Sequence, residues 1–196
     1  MKLLKFMWRK IFIFLQVNIP LNHRSRILRF LDKLSIIYHD LYENKNYNIN
    51  FNGEKYLIKK LYENNYLDCI FDIGANKGEY SILSRKISQK AKIFAFEPVL
   101  ETYQSLKYNV KDMRVNTYNF AFGSFSGSSN INLYSEDTLS SMVNFQGDFL
   151  NKEVRKVEIR INTGNQFLED NHNIKEISLL KIDTEGFENK VLEGFK

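Results

Sequence analysis

Cys69-Ile-Phe-Asp-Ile-Gly-Ala-Asn-Lys-Gly78 decides the fold of this 196-residue chain. The apolar pair Ile70-Phe71 leads to Asp72, and the chain then turns through Gly74 and Gly78. Beyond Gly78, Tyr80, Leu83 and Ile87 recur at helical spacing. A strand, a glycine turn and a helix in that order form a nucleotide-binding arrangement. Glycine lets backbone approach a ligand closely, and the first helical turn offers N–H groups with no partner inside the helix. The same sequence also suits an ordinary strand-to-helix turn, so the next segment has to arbitrate.

That segment is Ala91-Lys-Ile-Phe-Ala-Phe-Glu97, a second buried strand ending in a carboxylate and stopped by Pro98. Glu97 stands 23 positions after Gly74. An acid about twenty residues beyond the glycine turn is placed to accept the hydroxyls of a ribose. Gly74-Ala-Asn-Lys-Gly78 is G-x-x-x-G. It lacks the G-x-G-x-x-G that makes room for a dinucleotide pyrophosphate. A nucleoside is therefore the better ligand, and S-adenosylmethionine fits. An NAD-dependent oxidoreductase is the alternative that this spacing disfavours.

Composition narrows the field. With 43% hydrophobic residues, the chain has the material for a packed core. Its one cysteine excludes an internal disulfide and a cysteine-based zinc site, and Cys69 reads as a small apolar strand residue. No residue is assigned as a metal ligand. Charge is unevenly spread. Residues 1–35 hold eight Lys or Arg against the single acid Asp32, a net +7, and the remainder is −2. A near-neutral core argues against a nucleic-acid groove. The longest apolar run, Ile11 to Leu15, is far shorter than the roughly 20 residues a membrane span needs. A cytoplasmic chain, peripheral to a membrane if it meets one, is expected.

Residues 2–17 suit an amphipathic helix, with Leu4, Met7, Ile11, Phe14 and Leu15 on one face and Lys2, Lys5 and Arg9 on another. Packing on the domain or a partner is the ordinary role of such a helix. Contact with a membrane surface, with Trp8 and Phe12 at the interface, is the second reading. A signal peptide is disfavoured by the short apolar region and the absence of a small-residue cleavage site. Asn18-Ile-Pro20 is expected to end the helix. Ser25 or Asn22 would cap a second one, with Ile27, Leu31, Leu34, Tyr38 and Leu41 on its buried side. His39 lies beside that stripe and reads as structural, and His23 has no constellation around it. The Asn-rich stretch 43–53 reads as a linker, and 54–63 as a third helix. Residues 1–53 are thus a basic helical appendage, and 54–196 a Rossmann-like domain.

Val99, Tyr103, Leu106 and Val110 mark the helix after Glu97, and Val115 to Phe120 the third strand. This alternation predicts a parallel sheet with right-handed crossovers. Asn119, at the end of the third strand, or the backbone near Ala121, is a candidate to read an adenine edge; a plain strand-end turn is the other reading. Residues 124–134 read as a hairpin turning at Gly123–Gly127, Ser140-Ser141 as polar loop, and 154–161 as a strand. Neither serine has a neighbouring base to make it a nucleophile. His172 is expected to be exposed. Ser178 to Asp183 is a further strong strand, which puts Asp183 on the same sheet edge as Gly74 and Glu97. With Glu185 and Glu188 it forms an acidic group that can serve a sulfonium, an acceptor proton or a metal. Glu188 is also an ordinary helix-start acid.

Taken in order, Phe71-Asp-Ile-Gly-Ala-Asn-Lys-Gly-Glu-Tyr-Ser81, Ala95-Phe-Glu-Pro98, Asn119-x-Ala-x-Gly123, Ser140-Ser141 and Leu180-Lys-Ile-Asp-Thr-Glu-Gly-Phe-Glu188 resemble the motif series of FkbM-type methyltransferases. The resemblance runs from about residue 54 to the end. It implies the class I S-adenosylmethionine-dependent fold. It also implies that Asp72, Gly74, Asn76 and Gly78 line the methionine side, that Glu97 holds the ribose and that Asn119 lies near adenine. Asp183 and Glu185 would flank the reactive centre, with the base being one or the other. The implied reaction is O-methylation of a small-molecule or glycan acceptor: a glycan, lipid or secondary-metabolite hydroxyl. The non-enzyme alternative is a nucleoside-binding or interaction module without turnover. Two departures stand out. Thr163-Gly-Asn-Gln replaces the usual Thr-Leu-Asp, so Asn165 lacks the customary acid. The family also continues with further strands, so the chain is expected to be a piece of a longer reading frame, with C-terminal strands missing.

Overall fold

The computed structural model describes residues 2–22, 24–43, 48–134, 140–141 and 154–196. They form two compact units, Met1–Gly53 and Glu54–Lys196. His23 lies outside the described residues.

The first unit holds helices α1 (Lys2–Asn22) and α2 (Arg26–Tyr42). α1 does not stop at Asn18 but carries Pro20 in its last turn. Proline's φ is helical, and its missing N–H removes the one bond that would run back to the Gln16 carbonyl. Side chains reinforce that end, since Asn18 Nδ2 donates to the Phe14 carbonyl and Asn22 Nδ2 to that of Asn18. Ser25 caps α2, its Oγ accepting the Leu28 N–H at 3.1 Å. The stripe Ile27, Leu31, Leu34, Tyr38 and Leu41 is present on α2, but every member is exposed and the helix buries no residue. A helical period shows that one face is apolar; it does not say what covers that face. His39 and, in the second unit, His172 are exposed.

The second unit opens with α3 (Glu54–Glu63), then β1 (Cys69–Ile73), α4 (Glu79–Ile87), β2 (Lys92–Phe96), α5 (Leu100–Asn109) and β3 (Val115–Tyr118). Much later comes β8 (Leu179–Ile182), then α7 (Glu188–Glu193). β1 pairs in parallel with both β2 and β8, and β2 with β3, so one parallel sheet runs in the order β3-β2-β1-β8. This is the Rossmann-like order, with β1 central and buried at every position. The third strand is shorter than its apolar run suggested. It ends at Tyr118, and Ala121-Phe122 becomes β4 of another sheet.

That second sheet runs β4-β7-β5-β6, from β4 (Ala121–Phe122), β5 (Gly127–Tyr134), β6 (Ser140–Ser141) and β7 (Val154–Asn162). The expected hairpin at 124–134 does not form. β5 pairs antiparallel with β7 along its whole length, from Gly127↔Ile161 to Tyr134↔Val154. Alternating Ile131 and Leu133 need an apolar partner, and Val157, Ile159 and Ile161 supply one in a core shared with Val99 and Ala121. Ser140-Ser141 is a short strand on β5 rather than loop.

The main core is aromatic. Phe71, Phe94, Phe96, Phe122 and Phe167 are buried together, with ring centroids 5.2 Å apart for Phe71–Phe96 and 4.6 Å for Phe96–Phe122. Each such ring is worth about 1.5–3 kcal/mol on burial. Phe122 comes from β4, so this cluster locks the second sheet to the first. Thr163 caps helix α6 (Gly164–Asp170) by accepting the Gln166 N–H, so the altered Thr163-Gly-Asn-Gln makes a sound helix start. Asn165 donates its backbone N–H to the Gly194 carbonyl and its side-chain amide to that of Lys196.

The buried side of α4 differs from the expected Tyr80, Leu83, Ile87 stripe. It consists of Tyr80, Ser81, Ser84 and Arg85. Arg85 is tolerated there because its guanidinium donates to the carbonyls of Ser88, Gln89, Ala91 and Arg114, stitching the end of α4 to the strands beneath.

Candidate functional site

Register places the site. Ile73 pairs with Phe96 and with Ile182, and Phe96 pairs with Tyr118. The residues that follow these pairs are Gly74, Glu97, Asp183 and Asn119. All four therefore leave the carboxyl edge of the parallel sheet side by side, where open α/β sheets bind ligands.

Glu97 is 6% exposed. Its Oε2 accepts the Asn76 N–H and its Oε1 the Val99 N–H, each at 3.0 Å. Burial pushes its carboxyl up to about 7, against the opposing pull of those two N–H groups and of Lys181. A carboxylate offers about four acceptor sites, so two N–H bonds leave capacity for two further donors. A ribose diol supplies two such donors, and the residues present fit it. Asn119 serves this corner differently from expectation. Its Nδ2 donates to the carbonyls of Glu97 and Pro98, both at 2.9 Å, so the side-chain donor braces the Glu97 turn.

The glycines answer to protein neighbours. Gly74 has φ 73°, and a Cβ there would lie 1.9 Å from the Asp183 carbonyl oxygen. Gly78 has φ 92°, and a Cβ there would lie 2.7 Å from Leu106 Cδ1 on α5. The N–H groups of Gly74 and Ala75 both donate to the Phe96 carbonyl. The turn is thus pressed between β8, β2 and α5. Asn76 has φ 48°, which brings its N–H onto Glu97.

Asp72 lies beneath the turn and is fully buried. Ser81 Oγ donates to its Oδ2 at 2.7 Å, and the Lys181 ammonium lies 3.2 Å from its Oδ1. Lys181 also donates to the Gly74 carbonyl at 2.9 Å and lies 3.6 Å from Asp183 Oδ2. One cation thereby joins the centre of β1, the glycine turn and the exposed acid at the end of β8. The Tyr80 ring closes over the same ammonium, and burial raises its hydroxyl pKa. Ser81 and Lys181 escaped the sequence reading. The available signal was Lys181 as the lone charge in an apolar strand, since it pairs in register with Asp72 once β8 lies beside β1.

Asp183 is largely exposed at the edge. Glu185 follows with φ 52°, and burial, then Asp183 and Glu188, raise its pKa. Glu188 is used structurally. Its Oε1 accepts the N–H groups of Thr184 and Gly186 and the Thr184 hydroxyl, which outweigh burial and hold its pKa down. Among the described residues no group of three or more His, Cys, Asp or Glu is placed to hold a metal ion, and no helix is long and apolar enough to cross a membrane.

Glu97 carries a pH signature. It holds its proton more tightly folded than unfolded. Its contribution to stability is therefore full below about 4.5 and is lost as pH rises toward about 7. We expect Glu97→Gln to flatten the fall in stability between pH 5 and 8, by up to roughly 3 kcal/mol. Urea midpoints of both proteins across that range check it.

A family model described as the methyltransferase FkbM domain matches residues 72–196, which include every residue of this edge. The chain belongs to the FkbM methyltransferase family. A curated relative of this FkbM chain, "Methyltransferase 1" of Beauveria bassiana (strain ARSEF 2860), is 27% identical over 142 residues. That alignment covers 64% of this chain and 57% of the relative, so the FkbM chain spans little more than half of that relative's length. A crystal structure of methyltransferase FkbM from Methylobacillus flagellatus KT is 16% identical, with a TM-score of 0.43 over 66% of this chain and 29% of its own.

Proposed function

We propose that this chain binds S-adenosylmethionine along the carboxyl edge of its parallel sheet and directs methyl transfer to a hydroxyl oxygen of a glycan, lipid or secondary metabolite. The observation that carries the reading is Glu97, a desolvated carboxylate at the end of β2 with acceptor capacity left over. When bound, the cofactor supplies an already activated methyl group on a sulfonium. The chain's own task is to hold the nucleoside, align an acceptor oxygen and take its proton. Glu97 would hold the ribose. The glycine turn, fixed by Lys181 and the Phe96 carbonyl, would form the wall on the methionine side, with Asp72 as its buried anchor. Either Asp183 or Glu185, the latter with a carboxyl pKa raised by burial and by its acidic neighbours, would take the acceptor proton, and the other would orient the acceptor. The tight closure of Gly74 and Gly78 on β8 and α5 counts against a pyrophosphate cradle, and so against NAD.

Calorimetric titration with S-adenosylhomocysteine tests this. Loss of a hydrogen-bonding charged group costs about 1.5–3 kcal/mol, so Glu97→Ala should weaken binding roughly 10- to 150-fold. Unchanged affinity would remove Glu97 from the ribose. Asp183→Asn and Glu185→Gln should keep that affinity and lower turnover about 10²–10⁴-fold for whichever is the base. Tight binding with no transfer to any acceptor would instead favour a nucleoside-binding module.

A further inference from the structure

The helical unit presents a chemistry that the methyltransferase reading does not use. Along α1, the side chains of Phe6, Met7, Trp8, Ile11, Phe12, Ile13, Phe14, Leu15 and Val17 are all exposed. The helix contains no acid. At 100° per residue, Arg9 and Gln16 fall in one narrow polar sector, Lys10 stands 100° from Arg9 with its ammonium over the Phe6 ring, and apolar residues occupy most of the rest. α2 repeats the design more sharply. Arg26, Arg29 and Lys33 share one side, where with Phe30 they line a shallow open depression. Ile27, Leu31, Leu34, Tyr38 and Leu41 share the other, and all are exposed.

We propose that residues 2–42 dock this protein on an anionic membrane surface. Apolar and aromatic side chains would enter the headgroup boundary, while Arg9, Arg26, Arg29 and Lys33 meet lipid phosphates and carboxylates. Charge selects this occupant. A net +7 over residues 1–35, beside a remainder at −2, complements an acidic surface. A second copy of the same unit would oppose like charge to like charge. With four basic residues in its first nine positions, α1 is not apolar enough to cross the membrane and would lie along its surface.

The test is flotation of the full chain with vesicles of phosphatidylcholine alone, and with phosphatidylserine added. The chain should float with the anionic vesicles, far less with the neutral ones, and less as salt rises. Arg26→Gln, Arg29→Gln and Lys33→Gln together should lower the partition coefficient roughly a hundredfold, at about fivefold per charge. Leu31→Gln with Leu34→Gln, which leaves charge unchanged, should also weaken it. These positions are exposed, so helicity by circular dichroism should hold in every variant. Absence from anionic vesicles would overturn the proposal, as would flotation indifferent to lipid charge and salt. Sedimentation showing a dimer that the leucine pair abolishes, without flotation, would assign the face to a second copy.

Discussion

Gly74→Ala should destabilise the α/β unit by about 3–5 kcal/mol and lower its melting temperature by roughly 10–15 °C. Two costs combine. The residue sits at φ 73°, where a side chain costs about 1–2 kcal/mol. The new methyl group would also stand 1.9 Å from the Asp183 carbonyl oxygen and 2.9 Å from its carbon. Those are backbone atoms, and they cannot step aside freely, because the Asp183 N–H is already bonded to the Ile73 carbonyl at 3.0 Å. Relief requires β1 and β8 to part at the edge where the proposed ligand binds. Gly53→Ala separates the two costs. Gly53 has φ 98° with nothing within 4 Å, so it should lose only the strain. Urea unfolding of both variants gives the comparison. Equal losses would show that β8 yields to the methyl group.

Lys181→Met should cost about 3–5 kcal/mol, because it strands Asp72 as a buried charge. Asp72 is inaccessible to solvent, and without the ammonium the Ser81 hydroxyl is its one remaining side-chain partner among the described residues. The Gly74 carbonyl loses its donor in the same step. Adding Asp72→Asn should recover much of the loss, since the uncompensated charge goes with it. A thermodynamic cycle over the wild type, both single variants and the double measures that coupling. Additive losses would show that Lys181 acts through Gly74 or Asp183 rather than through Asp72. S-adenosylhomocysteine affinity should fall along with stability in Lys181→Met, because the same ammonium fixes the turn.

The parts of the fold legible in the sequence were those set by local pattern. β1, α3, α5 and β8 each carry a short period closed by a glycine, a proline or an acid, and their bounds follow. The place of Glu97 at the sheet edge was legible because its distance from the glycine turn is set by one strand-helix-strand unit. What escaped depends on who meets whom across the chain. A glycine advertises conformational freedom, but the identity of its neighbour lies elsewhere, at Asp183 for Gly74 and at Leu106 for Gly78. Lys181 looks like any outward lysine until β8 is laid beside Asp72. The turn chemistry at 123–127 suggested a hairpin, whereas the apolar alternation of β5 was matched to β7. Asn119 was legible as the end of a strand, but not the bracing of the neighbouring turn by its side-chain donor, which meets two carbonyls there.

Trp8 is the chain's one tryptophan, and it stands exposed on α1, in the helical unit. The α/β unit, for all its phenylalanines and tyrosines, contains no indole. Indole emission therefore speaks for residues 1–53 alone. An unfolding curve drawn from it follows the surroundings of Trp8, and a curve drawn from backbone dichroism weighs both units together. Disagreement between the two curves would be the natural behaviour of this chain rather than a sign of a folding intermediate.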